Sequence, residues 1–110
     1  MKNQNLINAL NECVAACNDC ASACLAEDDV KMMAKCIALD IDCAEICTTT
    51  AALLARNSEH ARHLLKECAE ICGLCASACE KHADHMDHCK ICAEVCRACE
   101  EACNESEVAV

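Results

Sequence analysis

The sequence predicts an all-α fold, an antiparallel up-down four-helix bundle with a cysteine-lined core. Three observations predict it. The 110 residues include sixteen cysteines, no Phe, Tyr or Trp, no Pro and one Gly, which removes the residues that strands and tight turns favour. The cysteines recur at steps of three and four, the period of one helix face. Three short polar joints divide the chain into four similar segments, and short joints make sequential helices antiparallel neighbours.

The first segment carries Cys13, Cys17, Cys20 and Cys24, and predicts a helix near 4–26. The joint Glu27-Asp28-Asp29 offers Asp28 or Asp29 as a helix cap for a second helix near 29–56. That helix carries Cys36, Cys43 and Cys47, with Asp40 at the seam position where a cysteine is missing. After Arg56-Asn57-Ser58-Glu59, with Ser58 as cap, a third helix near 58–81 repeats the first spacing with Cys68, Cys72, Cys75 and Cys79. After Lys81-His82-Ala83-Asp84, with Asp84 as cap, a fourth near 84–104 holds Cys89, Cys92, Cys96, Cys99 and Cys103. Residues 105–110 read as a frayed tail. Small flanking residues, among them Ala16, Ala44, Ala69, Ala76 and Ala93, let the helices approach closely.

The seams end differently. Leu6, Leu10, Leu54 and Leu65 continue them at the end holding both termini, which reads as plugged. At the opposite end they continue to Met33, His82 and His85, with His88 and Met86 beside them, which reads as a mouth.

The length suits a single domain, 1–110. Lys and Arg number 9 against 19 Asp and Glu, a formal charge of −10. The sign and the missing aromatics exclude a nucleic-acid binder. No run of ~20 apolar residues predicts a membrane span. Asn8, Asn11 and Glu12 interrupt any apolar leader, which predicts a cytoplasmic protein whose thiols stay reduced.

Four uses of sixteen seam thiols compete. One is a helical scaffold pinned by disulfides, which neighbours on one helix fit badly: their Cβ atoms lie ~5–6 Å apart, and a bridge needs ~3.5–4.5 Å. Buried cysteine as a plain hydrophobe explains one or two residues. Sixteen, beside only 20 Leu, Ile and Val, would leave a poorly packed core that something fills. Redox pairs are a weak reading, because the C-x-x-C matches lie mid-helix as by-products of the period.

Metal binding is the fourth, and charge selects the metal. Sixteen Cu(I) on sixteen thiolates add as much charge as the lost protons remove. Four Zn(II) on the same thiolates would leave −8 in a seam without Lys or Arg. Two sulfurs across a two-coordinate metal lie ~4.6 Å apart, taking the zinc–thiolate length as a proxy, and soft thiolates select Cu(I). Iron–sulfur or zinc sites would want isolated groups of four, whereas the cysteines run without gaps. The expected cargo is Cu(I), on the order of one ion per cysteine, held by a protein that is not an enzyme.

The pattern resembles the cytosolic copper storage proteins. The resemblance is carried by the run Cys13 to Cys24, the segment Cys36-Ile37-Ala38-Leu39-Asp40-Ile41-Asp42-Cys43-Ala44-Glu45-Ile46-Cys47, the run Cys68 to Cys79 and the stretch Cys79-Glu80-Lys81-His82-Ala83-Asp84-His85-Met86-Asp87-His88-Cys89. It implies Cu(I) along the bundle axis, largely two thiolates per ion, a homotetramer of bundles, and admission of copper at the His-rich end. No residue names a recipient cuproenzyme or a donor chaperone.

Beyond the cysteines, the candidate ligands are His82, His85 and His88 at the mouth, His85 foremost, with Met33 and, on the seam, Asp40. His60 and His63 read as surface residues.

Overall fold

The computed structural model describes residues 1–109. Helix α1 spans Gln4–Leu25, α2 Ala34–Ala55, α3 Ala61–Glu80 and α4 Asp87–Glu105. A 3-10 turn at Val30–Met33 leads into α2, and another at Glu107–Ala109 follows α4. The helices pack in the cyclic order α1–α2–α3–α4, with α4 closing against α1, in a body of 44 × 20 × 18 Å. This is the antiparallel bundle that the short joints predict.

The helix starts differ from expectation in instructive ways. Asp29 caps the 3-10 turn, its carboxylate accepting from the Met32 N–H at 3.4 Å, so α2 begins five residues later than predicted. Ser58 accepts from the His60 N–H at 3.2 Å, and α3 begins at Ala61. Asp84 caps nothing. Residues 81–85 form turns, Met86 is extended, and α4 begins at Asp87. The end of α2 is closed by backbone chemistry instead. Asn57 takes φ 55°, its N–H reaching the Leu54 carbonyl at 3.0 Å while the Ser58 N–H reaches that of Leu53 at 2.9 Å. That is the paired closure usually made by Gly, with Asn supplying the left-handed residue.

The last residues are not all frayed. α4 continues to Glu105, and the turn after it rests against α3 with Val108 half-buried on the core. An apolar residue one turn past the helix finds cover beside the α2–α3 joint. Residue 110 lies outside the described residues.

All sixteen cysteines are buried, none more than 2% exposed. Ile7, Leu10, Leu54, Ala61 and Leu65 bury the end that holds the N-terminus and the α2–α3 joint. Thr50 continues the α2 seam, its hydroxyl donating to the Ile46 carbonyl at 2.7 Å. Leu65→Ala should therefore cost roughly 3 kcal/mol, read as a shift in urea unfolding of the reduced, metal-free protein. A loss below about 0.5 kcal/mol, the scale of surface substitutions, would mean that the plug contributes little.

α3 and α4 are latched outside the core. Arg97 grips Glu80 through Nε and Nη2 (3.0 and 2.8 Å), Ser77 through Nη2 (3.0 Å) and Glu100 through Nη1 (3.0 Å). Gly73 gives Glu100 room to lie across α3, since a Cβ there would collide with the Glu100 carboxylate. The exposed ion pairs add little stability, but they fix how α4 meets α3.

Candidate metal centre

Four inward seams bring the thiols into one column. Across helices the Sγ atoms approach to 3.0 Å (Cys47–Cys68), 3.2 Å (Cys36–Cys79), 3.6 Å (Cys43–Cys72 and Cys17–Cys96) and 3.7 Å (Cys13–Cys43). Along a helix they lie slightly farther apart, 4.0 Å for Cys13–Cys17 and 3.8 Å for Cys92–Cys96. All sixteen are free. The poorly packed centre expected of small side chains is instead closed by sulfur touching sulfur. The spacings are somewhat shorter than the ~4.6 Å of a linear S–metal–S unit, a gap that rotation about Cα–Cβ can open.

Several groups of four donors lie within 4.8 Å of one another. They include Cys13, Cys47, Cys72 and Cys99; Cys13, Cys17, Cys43 and Cys96; Cys17, Cys75, Cys92 and Cys96; Cys20, Asp40, Cys79 and Cys92; and Cys20, Cys24, Cys36 and Cys89. Successive groups share members: Cys13, then Cys17 and Cys96, then Cys92, then Cys20. The column is one linked series from the middle of the bundle to the His-rich end.

Asp40 occupies the link between the inner groups and the outermost one. It is fully buried. Its Oδ1 accepts from the thiols of Cys75 (3.0 Å), Cys92 (3.3 Å) and Cys79 (3.8 Å), while Oδ2 has no partner. Burial pushes its pKa up to about 10, so in the metal-free protein it is a neutral carboxyl. Burial also raises the outer thiols, Cys89 to about 11 and Cys24 further. An arriving metal ion must displace their protons.

At the mouth the structure reorders the histidines. His85 is exposed and His82 half-buried, both on the turns before α4. His88 is the one beside the thiols. Its Nδ1 lies 3.5 Å from Cys89 Sγ, 3.7 Å from Cys20 Sγ and 3.8 Å from Cys24 Sγ. Its Nε2 lies 3.0 Å from Glu27 Oε1. The preference for His85 assumed that the α4 seam runs unbroken back past Cys89, and the helix starts too late for that. His88 stands four residues before Cys92 on the same helix, a spacing that could have found it. Glu27, three residues after Cys24, continues the α1 seam by one step, a signal masked by its place in an acidic joint. Met33 is fully buried and Met86 half-buried at this end, while Met32 is half-exposed. His60 and His63 are exposed at the other end, their rings 6.1 Å apart.

The profile of the copper storage protein family matches residues 1–108. The chain belongs to that family. Among solved structures of copper storage proteins, the cytosolic one from Streptomyces lividans, loaded with five coppers, is 42% identical over 94% of this chain and 88% of that one, with a TM-score of 0.89. The same protein loaded with ten copper equivalents gives 42% identity, 96% and 81% coverage and a TM-score of 0.90. Copper storage protein 3 from Bacillus subtilis, in its apo form, is 34% identical over 98% and 99%, with a TM-score of 0.89. Cu(I)-bound BsCsp3 is 35% identical over 94% and 96%, also at 0.89. A curated relative, the uncharacterized cysteine-rich protein YhjQ of Bacillus subtilis (strain 168), is 39% identical over 58 residues, 53% of this chain and about half of that one, 54%. The copper storage fold is thus common ground between this chain and its structural neighbours. Among the described residues no helix is long and apolar enough to cross a membrane.

Proposed function

We propose that this copper storage family member takes up Cu(I) through its His-rich end and holds it as cargo on bridging thiolates along the bundle axis. The observation that carries this reading is the sharing of cysteines between successive donor groups. A thiolate that belongs to two groups serves best as a bridge, and bridging lets sixteen thiolates hold a comparable number of monovalent ions without building up charge. Discrete zinc or iron–sulfur sites would leave a net negative charge in a core that holds no cation.

The ligands in this reading are the sixteen cysteines, with His88 completing the outermost group of Cys20, Cys24, Cys36 and Cys89. Asp40 is an oxygen donor at the link, with Cys20, Cys79 and Cys92. His82 and His85 are capture groups at the mouth, and Met33, buried at the same end, is a thioether donor. The reading places storage in the cytoplasm, with no catalytic step, in a homotetramer of bundles as the family resemblance implies.

The test is an anaerobic titration of fully reduced protein with Cu(I) against a coloured Cu(I) chelator. The expected result is tight uptake to roughly one copper per thiol. Tight uptake that stops near four equivalents would replace storage with isolated sites, and no tight uptake despite free thiols would remove the metal reading.

A further inference from the structure

We infer that Glu27 is the positioning residue of the mouth: it accepts the Nε2–H of His88 and so holds the imidazole in the tautomer whose bare Nδ1 faces the outermost thiols. The inference rests on the copper-storage reading for its consequence, but its geometry stands alone. Glu27 follows α1 by two residues. Its N–H closes onto the Cys24 carbonyl at 3.2 Å, so one backbone turn places both the Cys24 thiol and the Glu27 carboxylate. His88 sits in the first turn of α4, which α1 faces antiparallel. Its side chain is only 16% exposed, against 37% for Glu27. The carboxylate thus approaches from the wetter side and the thiols lie on the drier one.

A carboxylate oxygen can only accept, so at 3.0 Å the proton of a neutral His88 belongs on Nε2. The lone pair is then left on Nδ1, 3.5–3.8 Å from Cys89, Cys20 and Cys24. With the other tautomer Nδ1 would carry hydrogen toward the thiols and offer no donor to a cation among them. Carboxylate partners of this kind set the ring angle and raise the basicity of a metal-binding imidazole, and their loss typically costs ~10–100-fold in metal affinity.

The test uses the full chain in three forms: wild type, Glu27→Ala and Glu27→Gln. Nitrogen NMR of histidine in the reduced, metal-free protein reports the His88 tautomer without any copper. The wild type should show the Nε2–H form. Glu27→Ala should release it to a mixture, and Glu27→Gln, whose side-chain oxygen still accepts, should retain it. With Cu(I), Glu27→Ala should weaken binding of the first equivalent by ~10–100-fold while total capacity stays at the wild-type value. Glu27→Gln should bind that equivalent as the wild type does. A wild-type Nδ1–H tautomer would overturn the inference. So would a Glu27→Ala protein that keeps both its tautomer and its first-equivalent affinity. If wild type took no Cu(I) while the tautomers behaved as stated, storage would fail and the positioning of the ring would stand.

Discussion

Loading with Cu(I) should lift the unfolding transition of the reduced protein beyond the range reachable by heating in water. The metal-free core is made mostly of thiols, weak donors that gain little from one another, with large side chains confined to the bundle ends. Its stability should sit low in the ordinary range of ~5–15 kcal/mol. Each ion that binds only the folded chain adds about 2.7 kcal/mol when its free concentration is 100 times its dissociation constant. A few such sites exceed the whole metal-free stability. The unfolded chain also offers thiolates, which reduces the gain. It cannot, however, hold cysteines from four helices within 4.8 Å of one another. Circular dichroism melts of anaerobic metal-free and loaded samples measure the difference. A rise of less than about 5 °C, the equivalent of ~1 kcal/mol in a domain of this size, would mean that copper binds folded and unfolded chains alike.

Replacing Asp40 by Asn should make the metal-free protein less sensitive to rising pH. A carboxyl whose pKa stands at about 10 in the folded chain and at 3.8 in the unfolded one leaves folding unpenalised below pH 3.8. Above that the unfolded chain loses a proton that the folded chain keeps, and stability falls until the folded group also ionises near pH 10. Between pH 4.5 and 7.5 the loss is about 4 kcal/mol at ~1.36 kcal/mol per unit. Asp40→Asn has no such proton, though its amide must find partners where Oδ2 now has none. Urea unfolding at the two pH values should show the gap between variant and wild type changing by about 4 kcal/mol in favour of the variant at the higher pH. A constant gap would mean that the native carboxylate is ionised at neutral pH and that the surrounding thiols stabilise its charge.

The core was legible because the cysteines carry their own helical phase. Every seam cysteine from Cys13 to Cys103 is buried, and Met33 and Asp40 follow from the same step of three or four. The joints were less legible. Asp84 has the chemistry of a cap, yet the chain needs residues 81–86 to turn between α3 and α4, and the helix waits until Asp87. Setting His85 foremost carries the helical phase across that turn, where a helical phase has no meaning. Glu27 was hidden for a different reason. In an acidic joint every carboxylate reads as solvated, and only the antiparallel approach of α4 shows which one meets an imidazole.

The leucine plug has a consequence for the order in which cargo comes out. With Leu10, Leu54 and Leu65 sealing one end, a store filled along its axis behaves as a stack rather than a pipe. In the proposed storage reading the ions nearest His88 shield those beside Cys47 and Cys68, and a metal placed deep departs only after its outer neighbours have gone. In such a vessel residence time is set by depth, and the ions that exchange most readily are those nearest the mouth.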